Sequence, residues 1–206
     1  MDRRKTILNQ VFPLYQRYGI KSVTMDDVAK HLGISKKTLY EFFIDKEDLI
    51  KQVLMQDYDL KLQSFLKIEQ KNLNSIEELF EVYKMITEIF KDYNPSVEYD
   101  VKKYYPSLFI QLREVKRTRM FELSKKNMEK GKRDGFFRSE LNVSLIARLH
   151  VFRVENLLGS GLFSVEELTA FRTFHELFVY HLYGILSQRG REYMDVNFKR
   201  FTASLP

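Results

Sequence analysis

Apolar residues recur at every third and fourth position along almost the whole chain, the spacing of one buried helix face. Ile7, Leu8, Val11, Phe12, Leu14 and Tyr15 form the first stripe, and Gly19 is placed to end it. Pro13 falls inside that stripe; without a backbone N–H it predicts a kink or the start of a second half-helix. Thr24-Met25-Asp26-Asp27 reads as a threonine N-cap with an acid at the third helical position. Val28, Ala29 and Leu32 then face inward and Gly33 ends a short helix. Ser35 caps the next, which carries Leu39, Phe42 and Phe43. Asp45 caps a much longer one, with Leu49, Ile50, Val53, Leu54, Tyr58, Leu62 and Phe65 on its buried side.

Farther along the elements lengthen. Ser75 is predicted to cap a helix running to about Tyr93, stopped by Asn94-Pro95. Pro106 suits the first turn of another, to about Lys130, and Gly131 and Gly135 punctuate a turn before Phe136-Phe137. Asn142 or Ser144 opens a helix ending near Gly159-Ser160-Gly161. Ser164-Val165-Glu166-Glu167 caps the last long helix, to about Gln188, with a short tail helix after Gly190. The expected fold class is all-α: a compact N-terminal unit, residues 1–46, followed by a larger helical domain, residues 47–206. Composition agrees, since 8 glycines and 4 prolines in 206 residues favour long helices over many short strands. An apolar fraction of 44% is enough for a packed core.

The charge balance narrows the partners only slightly. A net charge of +6 and a pI near 9.3 suit a polyanion such as DNA, though many soluble proteins are mildly basic. The absence of cysteine excludes disulfides, thiolate metal sites and cysteine nucleophiles. Asp2-Arg3-Arg4-Lys5 follows Met1 with no apolar stretch of signal-peptide length behind it. The longest nearly uncharged apolar run, Leu177 to Leu186, is about half of a membrane span. These features predict a soluble, cytoplasmic protein without a membrane partner. His31, His150, His175 and His181 form no H-E-x-x-H or E-x-x-H pattern, and no P-loop is present. Gly159-x-Gly161 lacks the third glycine of a dinucleotide loop. No catalytic residue, metal or cofactor is therefore expected, and the chain is not read as an enzyme.

The segment Met25 to Phe43 carries the strongest local pattern. Two helices crossing steeply need a small residue at the contact, supplied by Ala29, and a left-handed turn residue between them, supplied by Gly33. Val28, Leu32, Ile34, Leu39 and Phe42 fill the space around those points. With Leu39, Phe42 and Phe43 inward, helical phase turns Lys37, Tyr40 and Glu41 outward, with Lys36 and Thr38 on the flanks. Lysines reach guanine edges or phosphates, a threonine methyl touches thymine, and a phenol donates to a phosphate. The plain alternative is a helical hairpin with a solvated face.

The stretch from Ile7 to about Ile50 resembles the TetR family of one-component repressors. The resemblance rests on Gly19-Ile20-Lys21-Ser22-Val23-Thr24-Met25-Asp26-Asp27-Val28-Ala29-Lys30, then Gly33-Ile34-Ser35-Lys36-Lys37-Thr38-Leu39-Tyr40-Glu41-Phe42-Phe43, then Lys46-Glu47-Asp48-Leu49-Ile50. It implies a three-helix helix-turn-helix DNA-binding domain, an all-helical C-terminal domain for effector binding and dimerisation, and a homodimer. By the same resemblance, Tyr40 and Lys46 bind phosphates, Thr24 caps the second helix against the DNA backbone, and Lys36, Lys37 and Thr38 hold the base-reading positions. Phe42 departs from the family, where many members carry histidine, and Pro13 is a second departure.

Beyond about Lys67 the family diverges. Gly131-Lys132-Arg133-Asp134-Gly135-Phe136-Phe137-Arg138 looks like the family's turn before its penultimate long helix. The cation-rich stretch from Arg113 to Arg138 is read as a solvated face rather than a second nucleic-acid patch. Family members dimerise through their last two long helices, which points to Leu168, Phe171, His175, Phe178, Val179, Leu182 and Leu186 as interface residues. That stripe, like Leu145, Leu149, Phe152 and Leu157, could be protomer core alone, but Phe174, Tyr183 and Ile185 give the last helix apolar surface on a second side and favour the interface. A pocket for an unknown small-molecule effector is expected around Tyr83, Ile86, Phe90, Phe109, Leu112 and Phe152, with Arg153 as polar anchor. The partners expected are double-stranded, palindromic operator DNA, a second copy of the chain, and that effector. A repressor released by its ligand is the main reading. An activator of the same fold and a helical adaptor without DNA binding are the alternatives.

Overall fold

The computed structural model describes residues 2–91, 94–157, 162–164, 167 and 170–202, with the backbone alone at 90, 91, 171, 174 and 200–202. Its regular elements are helices: α1 (Arg3–Tyr18), α2 (Met25–Leu32), α3 (Lys36–Tyr40), α4 (Lys46–Glu69), α5 (Ser75–Lys91), α6 (Pro95–Tyr104), α7 (Pro106–Arg133), α8 (Val143–Leu157), α9 (Phe171–Ile185) and α10 (Gln188–Thr202). The all-α expectation holds. A single antiparallel bridge pairs Phe137 with Leu186 among the described residues.

Local chemistry sets most boundaries. Asp2 caps α1 by accepting from the Arg4 N–H, and Gly19 closes it at φ 79°. Pro13 does not divide the helix, which runs on to Tyr18. Thr24 and Asp27 form a reciprocal capping box, and Gly33 takes the left-handed conformation at φ 65°. Asp45 accepts from the Asp48 N–H at 2.8 Å and starts α4.

Four expectations needed correction. The cap of α5 is Asn74, not Ser75: Asn74 Oδ1 accepts from Ile76 and Glu77, while Glu77 accepts from the Asn74 N–H. Ser75 is instead fully buried. Asn94-Pro95 also begins a helix that the spacing did not predict, α6, where Asn94 accepts from the Ser96 N–H and proline occupies the first turn. Gly131 lies inside α7 rather than after it, because its missing side chain makes room for the Phe137 ring. The last long helix breaks at Leu186, which turns extended. The break is held by Arg138 N–H to Ile185 O and Ser187 N–H to Phe136 O, and α10 begins at Gln188, earlier than the tail helix expected after Gly190. Tyr93 and Gly159-Ser160-Gly161 lie outside the described residues.

Contacts divide the chain into two compact units, residues 1–64 with 94–116, and residues 65–93 with 117–206. The first is built around Ile7, Leu8, Val11, Tyr15, Val28, Leu39, Phe43, Leu49 and Ile50, joined by Val101, Leu108 and Leu112. The second is built around Ile76, Phe80, Met128, Phe137, Ala147, Leu182, Leu186 and Met194.

Candidate nucleic-acid interface

Two devices hold α3 at the surface of the first unit. The left-handed turn at Gly33 lets the Ile34 N–H return to Ala29 O at 3.0 Å, closing α2 and reversing the chain. Ser35 then caps α3, its hydroxyl accepting from the Thr38 N–H at 3.0 Å. Leu39 and Phe43 anchor the segment from beneath at 0% and 1% exposure. With that side fixed, Lys36, Lys37, Tyr40 and Glu41 are exposed, as helical phase requires. Thr38 is half-buried, its hydroxyl 2.8 Å from that of Ser35.

The remaining residues assigned to DNA surround this helix in different electrostatic states. Lys36 is paired with Asp26 at 3.0 Å, a contact between two half-exposed side chains that solvent screens. That hydrogen bond and charge raise the Lys36 pKa. Thr24 is exposed at the start of α2, its hydroxyl donating to Asp27 at 2.6 Å. The same bonds lower the pKa of Asp27. Lys46 opens α4 half-buried, donating to Lys21 O at 3.2 Å. Burial lowers its pKa, against the raising influence of Asp100 and Asp27. An ammonium has three N–H groups, so one internal bond leaves capacity for a phosphate.

Phe42 is half-buried, and the guanidinium of Arg3 lies over its ring at 5.8 Å. The sequence reading missed one residue that braces the module, Asp100 of α6, whose carboxylate accepts from the Lys21 N–H at 2.9 Å. The cap Asn94-Pro95, followed by Val97 and Val101 at helical spacing, was the available signal.

The residues assigned to an effector pocket fall in different places. Phe109 and Leu112 belong to the core of the first unit. Tyr83, in the second, stacks on Phe178 with centroids 4.4 Å apart and meets His175 Nδ1 at 3.4 Å; burial pushes its phenol up to about 12. Ile86 and Arg153 are half-buried and Phe152 is 64% exposed. The Phe90 side chain lies outside the described residues.

Of the residues assigned to dimerisation, Leu182 and Leu186 are buried in the protomer's own core. His175, Phe178 and Val179 are half-buried, while Leu168 and the Phe171 side chain lie outside the described residues. Among the described residues, the large apolar side chains open to solvent on α8 and α9 are Leu145, Leu149 and Phe152 at 53%, 57% and 64%, and Tyr180 at 79%. Glu155 of α8 is held by Arg117, whose Nη2 donates at 2.8 Å.

Comparison with known proteins bears on the same segment. Residues 7–53 match the family described as bacterial regulatory proteins, tetR family. An HTH-type transcriptional regulator of Staphylococcus aureus (strain USA300) is 34% identical over 68 residues, 33% of this chain and 37% of that protein. The chain thus matches little more than a third of that relative's length. Among solved structures, a transcriptional regulator from Cytophaga hutchinsonii superposes with a TM-score of 0.77 at 19% identity, covering 91% of this chain and 100% of the other. A gamma-butyrolactone receptor, an ArpA-like protein, does so with a TM-score of 0.63 at 17% identity, covering 97% and 95%. These two likenesses establish a shared fold.

Proposed function

We propose that this chain, whose residues 7–53 match the tetR family, is a homodimeric transcriptional repressor released from a palindromic operator by a small molecule. The observation that carries the reading is the outward display of Lys37 and Tyr40 on a short helix anchored by Leu39 and Phe43. In this reading residues 1–46 are the DNA-binding domain and residues 47–206 the effector and dimerisation domain. α3 enters the major groove, where Lys36, Lys37 and Thr38 meet base edges. Tyr40, Lys46 and Thr24 hold phosphates and set the register. Lys36 exchanges Asp26 for DNA at little cost, because the pair it leaves is solvated.

The dimer forms over the exposed apolar residues of α8 and α9, where Leu145, Leu149 and Phe152 recur at four- and three-residue steps beside a chain of otherwise polar exposed positions. A second copy places two recognition helices against one face of the duplex, and their separation must match about 34–36 Å or a multiple of it. α4 and α7 each contribute residues to both compact units, so an effector bound in the larger domain acts on that separation through them. In this reading the protein works in the cytoplasm, where its operator lies.

The test is selection of DNA by the purified protein from fragmented genomic DNA, followed by sequencing. The expected outcome is enrichment of one palindromic element whose affinity falls steeply with salt. Uniform recovery of all fragments, with little salt dependence, would instead favour the adaptor reading.

A further inference from the structure

Three groups able to carry positive charge meet within the second unit, with no acid paired to them among the described residues. His150 and Arg153 sit one turn apart on α8, and His181 comes from α9. The two imidazole centroids are 4.8 Å apart. Arg153 Nη2 lies 3.3 Å from His150 Nδ1, and Nη1 donates to Leu177 O at 3.4 Å. Both contacts are long for a guanidinium, whose charge-assisted bonds run about 2.7–2.9 Å. Five N–H groups are available on that fork, and among the described residues no carboxylate pairs with it. Burial drives all three groups toward their uncharged forms. His150 falls to about 4, with Arg153 adding to the effect, and His181 to about 3, with His150 and Arg153 adding to it. Arg153 is lowered by the same desolvation, opposed by Tyr180.

A partly buried guanidinium without an anion is an unsatisfied arrangement: it carries the desolvation cost of a charge and little of the compensation. The compensation missing is a planar oxyanion that accepts two parallel N–H bonds. We propose that Arg153, His150 and His181 form a binding site for the carboxylate of a small organic anion. Arg153 grips the two oxygens, and the imidazoles of His150 and His181 donate from the side. This deepens the ligand-responsive reading above, since it names the chemical class of the effector, and it moves the site from the aromatic core to the α8–α9 pair.

The test uses the full-length protein without DNA, so its failure leaves the DNA-binding reading standing. Benzoate is titrated at neutral pH while the imidazole carbon and proton signals of the histidines are followed by NMR, with inorganic phosphate in a parallel titration. The expected result is a saturable shift of the His150 and His181 signals with benzoate. Arg153→Met, which keeps the packed stem, should weaken that binding about tenfold or more, and Arg153→Lys, which keeps charge but not the fork, by less. Wild-type affinity in Arg153→Met would overturn the proposal, as would the absence of any saturable shift with both anions. A shift that follows protein concentration rather than benzoate would overturn it too, by assigning the site to a carboxylate of a second copy.

Discussion

Lys36 and Lys37 are neighbours in sequence but stand in different electrostatic surroundings. Lys36 is already held by Asp26, whereas Lys37 is exposed with no carboxylate pairing it among the described residues. If Lys37 reads a base, Lys37→Ala changes which sequence is preferred, while Tyr40→Phe and Lys46→Ala weaken binding to all sequences alike. Lys46→Ala should also reduce the slope of log affinity against log salt by about 1. Binding isotherms on the selected operator and a scrambled duplex, at several salt concentrations, separate these outcomes. Equal losses from all three variants on every sequence would remove the base-reading role. Gly131 makes a second residue-scale case, this time about stability. A Cβ there would come within 2.1 Å of the ring edge of the fully buried Phe137, so Gly131→Ala should overpack the core by about 1–3 kcal/mol. Denaturant midpoints measure it. Its spacing to Gly135 was legible as a turn, yet the reason for the glycine is a ring six residues away.

Among the elements, α5 illustrates how a cap is misread by one position. Asn74 and Ser75 are both good caps in isolation, and sequence alone does not choose between them. The choice was made by burial: Ser75 points into the second core, with its carbonyl accepting from Asn127, so the amide of Asn74 faces the open N–H groups. Asn74→Ala should cost about 1 kcal/mol, and Ser75→Ala much less, read as a difference in thermal midpoint. The α8–α9 pair gives a pH dependence. Unfolded, both imidazoles titrate near 6.5; folded, His150 titrates at about 4 and His181 at about 3. The unfolded chain therefore binds protons more readily between those values. Stability is whole above pH 6.5 and is lost as pH falls toward 4, by up to about 1.4 kcal/mol per pH unit for each ring. Chemical denaturation at a series of pH values should record that decline, and His150→Gln should flatten it.

At the scale of the whole molecule, the residues expected at a dimer interface and the residues exposed on the protomer differ. Leu182 fills the protomer core, so Leu182→Ala should destabilise each copy by about 2–5 kcal/mol. Phe152→Glu lies on the exposed face and should leave the protomer folded while shifting sedimentation equilibrium toward monomer. A dimer of unchanged affinity in Phe152→Glu would take the interface away from α8. Leu182 and Leu186 of the expected stripe turn into the protomer core, a destination not visible in the sequence, because a helix apolar on two sides has two possible partners. The all-α class, the positions of α1 to α4 and the outward phase of Lys37 and Tyr40 were determined by the sequence alone. They depend on contacts within one or two turns: caps, a left-handed glycine and the 3.6-residue period. The tertiary structure alone decided that Leu186 breaks the last long helix, that Asp100 braces the turn at Lys21, and that Arg153 meets His150 and His181 with no acid pairing it among the described residues. Each of those depends on groups brought together from separate helices, and no local pattern encodes which helices will pack.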